Sequence, residues 1–219
     1  MSASHAEHDH HDDGHPPRVY QHDVPLPERA KRFLALKELL IEKGVVTQEE
    51  IRHEIDAKEA RSPRDGARVV ARAWADPAFK ARLLRNPRAA IAEMGYGEGM
   101  PAELVVVENT EKVRNLTVCT LCSCYPSWLL GRPPDWYKSF AYRSRAVSDP
   151  RGVMREFGLA VPQDVQVRVV DSTSETRYLV LPQRPSDTEG MSEEQLATLV
   201  TRDSMIGVAD PLSPQHTKG

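Results

Sequence analysis

Three cysteines, Cys119, Cys122 and Cys124, fall within six consecutive residues and are the only cysteines of the chain. We call residues 119–124, in the segment VCTLCSCYP, the cysteine loop. Cysteine thiolates are soft ligands that select transition metals over magnesium or calcium. The spacing therefore favours metal binding, with thiol–disulfide exchange by the CxxC pair and packing of three buried thiols as alternatives.

Two common thiolate sites fit this spacing poorly. Structural zinc sites and iron–sulfur clusters normally take four protein ligands. The chain has no fourth cysteine, and no histidine stands between His53 and His216. A redox CxxC pair needs only two sulfurs, so Cys124 would have no role in such a site. The residues alone leave another kind of metal site, a redox pair and core packing open.

Cys122, Ser123 and Cys124 are consecutive in the chain. If both thiolates turn toward one ion, the amide nitrogens of Ser123 and Cys124 are brought against it as well. Thiolate sulfur together with deprotonated amide nitrogen favours a small, highly charged ion such as Co(III) or Fe(III). Three sulfurs and two nitrogens leave one octahedral position open, where the ion could act as a Lewis acid or lower the pKa of a bound water.

The composition indicates a protein that folds in water. Of the 219 residues, 40% are hydrophobic and 28% are charged, and the mean hydropathy is -0.51, which excludes wholesale disorder. No run reaches the roughly 18 apolar residues of a spanning helix and no signal-peptide stretch is present, so we expect a cytoplasmic protein with no membrane partner. A net charge of -3 argues against a nucleic-acid partner.

Four regions are predicted along the chain. Residues 1–26 are expected to form a disordered head with five of the eight histidines in its first 17 residues, either a metal-capturing tract or a solvated tail or cloning remnant. A helical arm is expected over 27–99, an α+β metal-binding catalytic domain over 100–210 and a tail over 211–219. The expected fold is α+β, with the extended N-terminal arm followed by a layered α/β/β/α-type domain that carries the cysteine loop.

Local signals predict the elements within these regions. Residues 62–66 are expected to form a loop. Helices are predicted over 27–43, 47–60, 67–74 and 150–157, after Asp76-Pro77, after Asn86-Pro87 and after Ser192. Strands are predicted at 104–107, 116–118, 165–169 and 177–181, and the last two are expected to continue one sheet across a turn at 171–174.

Longer segments around the cysteine loop carry a family resemblance. The motif VCTLCSC, followed by YP, LGRPPDWYKSFAYRSR and DPRGVMREFG, resembles the alpha subunit of cobalt-type nitrile hydratase. It also resembles the closely related metal-bearing gamma subunit of thiocyanate hydrolase. RVVARAWADPAFKARLL upstream, and DSTSETRYLVLPQRP and LVTRDSMIGV downstream, extend the match from about Leu34 to Val208.

The resemblance implies a particular metal centre. The sulfurs of Cys119, Cys122 and Cys124 and the backbone nitrogens of Ser123 and Cys124 would be the ligands, and Cys122, Ser123 and Cys124 would form the catalytic centre. Cys122 would be a cysteine sulfinic acid and Cys124 a cysteine sulfenic acid. Thr120 occupies the position that is threonine in the cobalt class and serine in the iron class, so Co(III) is expected and Fe(III) is less favoured.

The implied reaction is the hydration of a nitrile to an amide, by a lyase that works as a hetero-oligomer. Either a water molecule or the oxygen on Cys124 could be the nucleophile, and the sequence does not choose between them. The implied partners are a beta-type subunit that contributes arginines to the site, a metal-insertion activator protein and a small nitrile. Thiocyanate hydrolysis and a non-catalytic metal carrier are the alternative functions.

Further residues are assigned from the same resemblance. Glu175 and Arg177 match a residue pair of the family that stabilises the metal ligands without contacting the metal. An ordinary surface ion pair is the alternative. Ser127 and Trp128 are expected to line the substrate pocket. Many nitrile hydratases read YPWPVLG where this chain reads YPSWLLG, so Ser127 could leave room for nitriles larger than simple aliphatic ones.

Residues on the segment after the cysteine loop are open to two interpretations. Trp136 and Tyr137 could line a pocket, although aromatic residues near a core are more often simply packed. Arg143 and Arg145 are expected to face solvent or another subunit.

Overall fold

The structure is a computed structural model that describes residues 27–97 and 100–214. The predicted head and residues 215–219 of the predicted tail lie outside the described residues. The chain divides into two units, residues 1–51 and residues 52–219. The predicted boundary between arm and domain at residue 99 differs from this division, which falls about fifty residues earlier.

Helix α1 (Glu28–Glu42) has no buried residue, and Phe33 and Leu36 are 66% and 55% exposed. Helix α2 (Gln48–Glu59) begins with the predicted capping box. The Thr47 hydroxyl accepts the Glu50 N–H at 3.1 Å, and the Glu50 carboxylate accepts the Thr47 N–H at 2.8 Å. The start of α2 is therefore fixed by local hydrogen bonds.

Three helices follow: α3 (Pro63–Ala75), α4 (Pro77–Arg85) and α5 (Pro87–Ala92). Each has a proline in its first turn and a preceding side chain, from Ser62, Asp76 or Asn86, that accepts a backbone N–H. The loop predicted over 62–66 is wrong, because the Ser62 cap lets α3 begin at Pro63.

Helices α3 to α5 belong to the core of the larger unit. Seven residues of α3 are buried, and Phe79, Leu83 and Ile91 of α4 and α5 are at most 1% exposed. Small and β-branched residues on most of the circumference of α3 let it pack on several sides. This buried face is why α3 to α5 are core helices and not part of an exposed arm.

The four strands of the described chain form two separate parallel pairs. Strand β1 (Glu103–Glu108) pairs with β4 (Thr176–Leu181), and β2 (Val113–Val118) pairs with β3 (Gln166–Asp171). The prediction that the last two strands continue one sheet is wrong. Apolar alternation identifies a strand but not its partner, and parallel pairing requires a long connection that a local pattern does not reveal.

The connection between β2 and β3 contains four helices. These are α6 (Ser127–Leu130), α7 (Asp135–Lys138), α8 (Phe140–Ser148) and α9 (Pro150–Glu156). Only α9 was predicted, since α6 and α7 span four residues each and are too short for a helical period to register. This connection returns the chain to the start of β3, so that β2 and β3 end side by side.

The described chain closes with helices α10 (Glu193–Leu199) and α11 (Arg202–Ile206). The predicted capping box of Ser192 and Gln195 is present at the start of α10. Helix α10 packs on α3, and α11 packs on α3 and β4. The helices and strands together confirm an α+β protein. Among the described residues, no helix combines the length and the apolar character needed to cross a membrane.

We expect Gly207→Ala to destabilise the fold more than Gly190→Ala. Both glycines have positive φ, at 95° and 77°, and a left-handed alanine costs about 1–2 kcal/mol. A Cβ at Gly207 would also collide with the Asn115 carbonyl on β2, whereas a Cβ at Gly190 meets no atom within 4 Å. Denaturant unfolding of both variants measures the difference, and equal losses would contradict the packing described for Gly207.

Candidate metal centre

The cysteine loop begins directly after β2, at the carboxyl end of the β2–β3 pair. The sulfur of Cys122 lies 3.4 Å from that of Cys119 and 3.2 Å from that of Cys124. All three sulfurs lie within 4.8 Å of one another. Cys119 is buried, Cys124 is half-buried and Cys122 is exposed, so the cluster opens to solvent on one side.

Strand β3 holds the first half of the loop. The parallel register places Val118 beside Asp171, and the Ser172 N–H donates to the Val118 carbonyl at 2.7 Å. The Asp171 carboxylate then accepts the Thr120 N–H at 3.0 Å and the Thr120 hydroxyl at 2.6 Å. Sequence reasoning missed Asp171 because it lies 51 residues from Thr120, and only the parallel register joins them.

Helices α7 and α8 hold the loop from the other side. Arg143 on α8 donates from Nη1 to the Thr120 carbonyl at 3.2 Å, and Tyr137 on α7 donates to the Cys124 carbonyl at 3.0 Å. Within the loop, the Cys122 N–H points to the Cys119 sulfur at 3.3 Å. Arg143 therefore contacts the loop, in contrast to the solvent-facing or subunit-facing role expected for it.

The close approach of the thiols changes their acidity. Hydrogen bonds from the Cys124 and Cys119 thiols, and then from the amides of Ser123 and Cys124, lower the pKa of Cys122 to about 7. Burial and the neighbouring thiols raise the pKa of Cys124, although the charge of Arg177 opposes this rise. One thiolate forms readily at neutral pH, and ionisation of the whole cluster requires a compensating cation.

The donor set fits a transition metal. Within the described part of the chain, the three sulfurs form a group without histidine or carboxylate ligands. Such a soft set selects a transition ion and provides only three of the four side-chain ligands that a closed zinc site takes. The amide N–H groups of Ser123 and Cys124 face the Cys122 sulfur, so both nitrogens lie next to the cluster.

Arg177 and Glu175 occupy different environments. Arg177 on β4 is half-buried, donates from Nη1 to the carbonyls of Thr173 and Thr176, and acts electrostatically on Cys124. Its buried Nε has no acceptor among the described residues. Glu175 is exposed, and the described ion pairs do not include one between it and Arg177. The charge beside the cluster therefore comes from Arg177.

Ser127 and Trp128 face different ways at the start of α6. Ser127 is exposed and lies three residues after Cys124. Trp128 is 6% exposed and packs in the core, and its buried indole N–H has no acceptor in the described structure. Of the two residues, Ser127 is therefore the one that a ligand at the open side of the cluster could reach.

A cavity of about 660 Å³ lies elsewhere, at the carboxyl ends of β1 and β4. It is lined by Trp74, Lys80, Glu108 and Arg184 among others, and none of its lining residues belongs to the cysteine loop. Lys80 pairs with Glu108, and Arg184 is used in hydrogen bonds to Thr188 and Trp74. Lys80, Glu108 and Arg184 are therefore already engaged in contacts within the fold.

The fold and the site define an α+β protein with a three-thiolate transition-metal centre at the carboxyl end of a parallel strand pair. The chain belongs to the nitrile hydratase alpha-chain family, whose model matches residues 27–209. This confirms the resemblance found in the cysteine loop and its flanking segments.

Known proteins of two kinds are similar to the chain. The low-molecular weight cobalt-containing nitrile hydratase subunit alpha of Rhodococcus rhodochrous is 53% identical over 188 residues, 85% of this chain and 91% of the relative. The thiocyanate hydrolase subunit gamma of Thiobacillus thioparus is 42% identical over 86% of this chain and 84% of its own. A solved double mutant of the Fe-type nitrile hydratase from Comamonas testosteroni Ni1 is 44% identical, with a TM-score of 0.78 over 85% of this chain and 91% of that one.

We expect Asp171→Asn to loosen the cysteine loop. Asparagine offers one acceptor where the carboxylate serves both the N–H and the hydroxyl of Thr120, so one of these donors loses its partner. Hydrogen exchange in the peptide around Thr120 should quicken about five- to tenfold. Asp164→Asn is the control, because Asp164 makes an exposed ion pair with Lys112. Unchanged exchange in Asp171→Asn would refute the anchoring role.

Proposed function

We propose that the chain is the metal-bearing subunit of a nitrile hydratase, which hydrates a nitrile to the corresponding amide at a Co(III) centre. The observation that carries this proposal is the convergence of three thiols in the motif CTLCSC, within a chain of the nitrile hydratase alpha-chain family. Cobalt is favoured over iron by Thr120 and by the relative from Rhodococcus rhodochrous, which is named as cobalt-containing.

The ligands in this proposal come from the cysteine loop alone. The sulfurs of Cys119, Cys122 and Cys124 and the backbone nitrogens of Ser123 and Cys124 hold the ion. A bound Co(III) ion supplies Lewis acidity, which stabilises negative charge as the nitrile is attacked. The chain provides the shape of the site, because Asp171, Arg143 and Tyr137 hold the loop through hydrogen bonds.

Two of the three sulfurs are proposed to carry oxygen. Cys122 is exposed and its pKa is lowered to about 7, so its thiolate is accessible to dioxygen, and addition of both atoms of one O₂ molecule converts it to a sulfinate. Cys124 is proposed to be a sulfenate. Either a water molecule or the oxygen on Cys124 attacks the nitrile carbon, and both routes add one water molecule to the substrate overall.

Oxidised sulfurs need hydrogen-bond donors, and arginine suits oxyanions. Arg143 and Arg177 each keep a buried Nε–H without an acceptor in the described structure. We propose that Arg177, supported by Glu175 in the assembled enzyme, donates toward Cys124. Further arginines are proposed to come from a beta-type subunit.

The proposed assembly is a hetero-oligomer. The proteins similar to this chain are named as subunits, and helix α1 exposes Phe33, Leu36 and Leu39 along its length. A helix that exposes apolar side chains and has no buried residue in the described structure is suited to lie on another surface. A metal-insertion activator protein is proposed as a second, transient partner.

We also infer that the larger unit has the α/β/β/α layering expected from the sequence. Helices α4 and α5 contact β1, β1 and β4 each contact β2, and α8 and α9 contact β2 and β3. These contacts are those of two parallel pairs stacked between two layers of helices.

Thiocyanate hydrolysis is the second candidate function. The gamma subunit of the thiocyanate hydrolase from Thiobacillus thioparus is similar to this chain along most of its length. The two reactions share the metal chemistry and differ in substrate, so a direct substrate comparison separates them.

We expect the complex, purified with a beta-type partner and cobalt, to hydrate nitriles. Cys119→Ala, Cys122→Ala and Cys124→Ala should each reduce kcat/KM at least about a hundredfold, because each removes a ligand. Ser123→Ala should keep its cobalt, since this residue contributes only a backbone nitrogen. Metal analysis and mass spectrometry should find cobalt, two oxygens on Cys122 and one on Cys124.

Three results would count against nitrile hydration. Faster turnover of thiocyanate than of any nitrile would favour thiocyanate hydrolase. Unmodified thiols with zinc that a chelator removes quickly would favour a metal carrier. Full activity after Cys122 and Cys124 are both replaced by alanine would exclude the proposed site altogether.

Ser127 is proposed to admit substrates larger than acetonitrile. We expect benzonitrile to be the better substrate of the native complex, and Ser127→Trp to lower the benzonitrile-to-acetonitrile ratio of kcat/KM about tenfold by filling the exposed space. Ser186→Trp, a similar change on an exposed loop after β4, is the control. A native preference for acetonitrile would refute the larger pocket.

A further inference from the structure

Two buried phenols hold the chain on either side of the cysteine loop. Tyr142 on α8 donates to the Thr117 carbonyl at 2.6 Å, just before the loop. Tyr137 on α7 donates to the Cys124 carbonyl at 3.0 Å, at the end of the loop. Tyr137 is 1% exposed and Tyr142 is 6% exposed, so solvent scarcely competes for either hydrogen bond.

The two phenols are fixed by their neighbours. Their ring centroids lie 5.5 Å apart, Tyr125 packs edge-on against Tyr137 at 5.2 Å, and Trp136 packs edge-on against Tyr142 at 4.9 Å. Ser139, between α7 and α8, donates to the Trp136 carbonyl at 2.7 Å and accepts the Tyr142 N–H at 3.1 Å. Aromatic contacts and a helix cap therefore hold both rings in place.

The two hydrogen bonds act on different parts of the backbone. Thr117 lies inside β2 and is already held by the ladder to β3, so the Tyr142 bond adds to a strand that is fixed without it. Cys124 is the last residue of the cysteine loop and lies outside any helix or strand. The Tyr137 bond holds the peptide plane after Cys124 and so constrains the ψ angle of the residue that carries the third thiol.

We propose that Tyr137 is a positioning residue that keeps the Cys124 sulfur and amide nitrogen turned toward Cys119 and Cys122 before the metal arrives. This inference rests on the metal-binding part of the proposed function. Tyr137 does not act as an acid or base on the substrate, because its hydroxyl is buried and points to a backbone carbonyl. It also does not polarise either ligating amide, because the carbonyls of those two amides belong to Cys122 and Ser123.

The test compares Tyr137→Phe with Tyr142→Phe in the cobalt-loaded complex. Each change keeps the ring and removes one phenol–carbonyl hydrogen bond, so both should lower the thermal midpoint to a similar extent. Only Tyr137→Phe should weaken cobalt retention, about three- to tenfold in competition with a chelator. It should also shift the sulfur-to-cobalt charge-transfer absorption, while Tyr142→Phe leaves retention and absorption as in the native complex.

A double-mutant cycle tests whether the effect of Tyr137→Phe on cobalt retention depends on Cys124. If Tyr137 acts through Cys124, then Tyr137→Phe should have no effect on the Co(II) affinity of the two remaining thiols in a Cys124→Ala background. A persistent effect there would mean that Tyr137 acts on the fold in general. Near-UV circular dichroism like that of the native complex shows that each variant is folded.

Equal changes in the two phenylalanine variants, or unchanged retention and absorption in Tyr137→Phe, would overturn the proposal. These outcomes are separable from failure of the proposed function. A native complex that holds cobalt with the charge-transfer band but does not hydrate nitriles would refute the activity and leave the Tyr137 comparison intact.

Discussion

The mutual repulsion of three thiolates in one small volume is the constraint on which the site depends. The Cys122 sulfur lies 3.2–3.4 Å from each of its neighbours, closer than two like charges can remain without compensation. Hydrogen bonds from the Cys124 and Cys119 thiols lower the pKa of Cys122, whereas burial and the neighbouring thiols raise the pKa of Cys124, so the cluster resists complete ionisation. The folded chain must hold the three groups together against their own charge, and a highly charged cation relieves that cost when it binds.

The fold meets this requirement by anchoring the loop from two independent sides. The parallel register of β2 and β3 brings Asp171 to Thr120, and the helices that connect the two strands bring Arg143 to the same residue and Tyr137 to Cys124. The helical connection that allows β2 and β3 to pair in parallel therefore also provides two residues that hold the loop, Arg143 and Tyr137. A hairpin between β2 and β3 would have no such helices, so the topology and the site arise from the same crossover.

Local chemistry was predictable from the sequence, and contacts between distant segments were not. The spacing of Cys119, Cys122 and Cys124 indicated their convergence because neighbouring residues cannot lie far apart. Capping boxes such as that of Ser192 and Gln195 were predictable for the same reason. Asp171, Tyr137 and Arg143 carry no local signal, since each acts on the loop through strand register or helix packing. The predicted arm over 27–99 includes α3, because helical periodicity alone does not reveal whether the apolar face of a helix is buried by its own chain.

The described residues hold the cysteine cluster from one side and leave its other side open. Every anchor found for the loop approaches from the protein side, at Thr120, Val118 or Cys124, while Cys122, Ser123 and Ser127 face solvent. A site that excludes water and pairs oxidised sulfurs with donors needs a second wall on that face. The chain therefore supplies the three thiols and the contacts that hold them, and we propose that a beta-type subunit supplies the surface over Cys122.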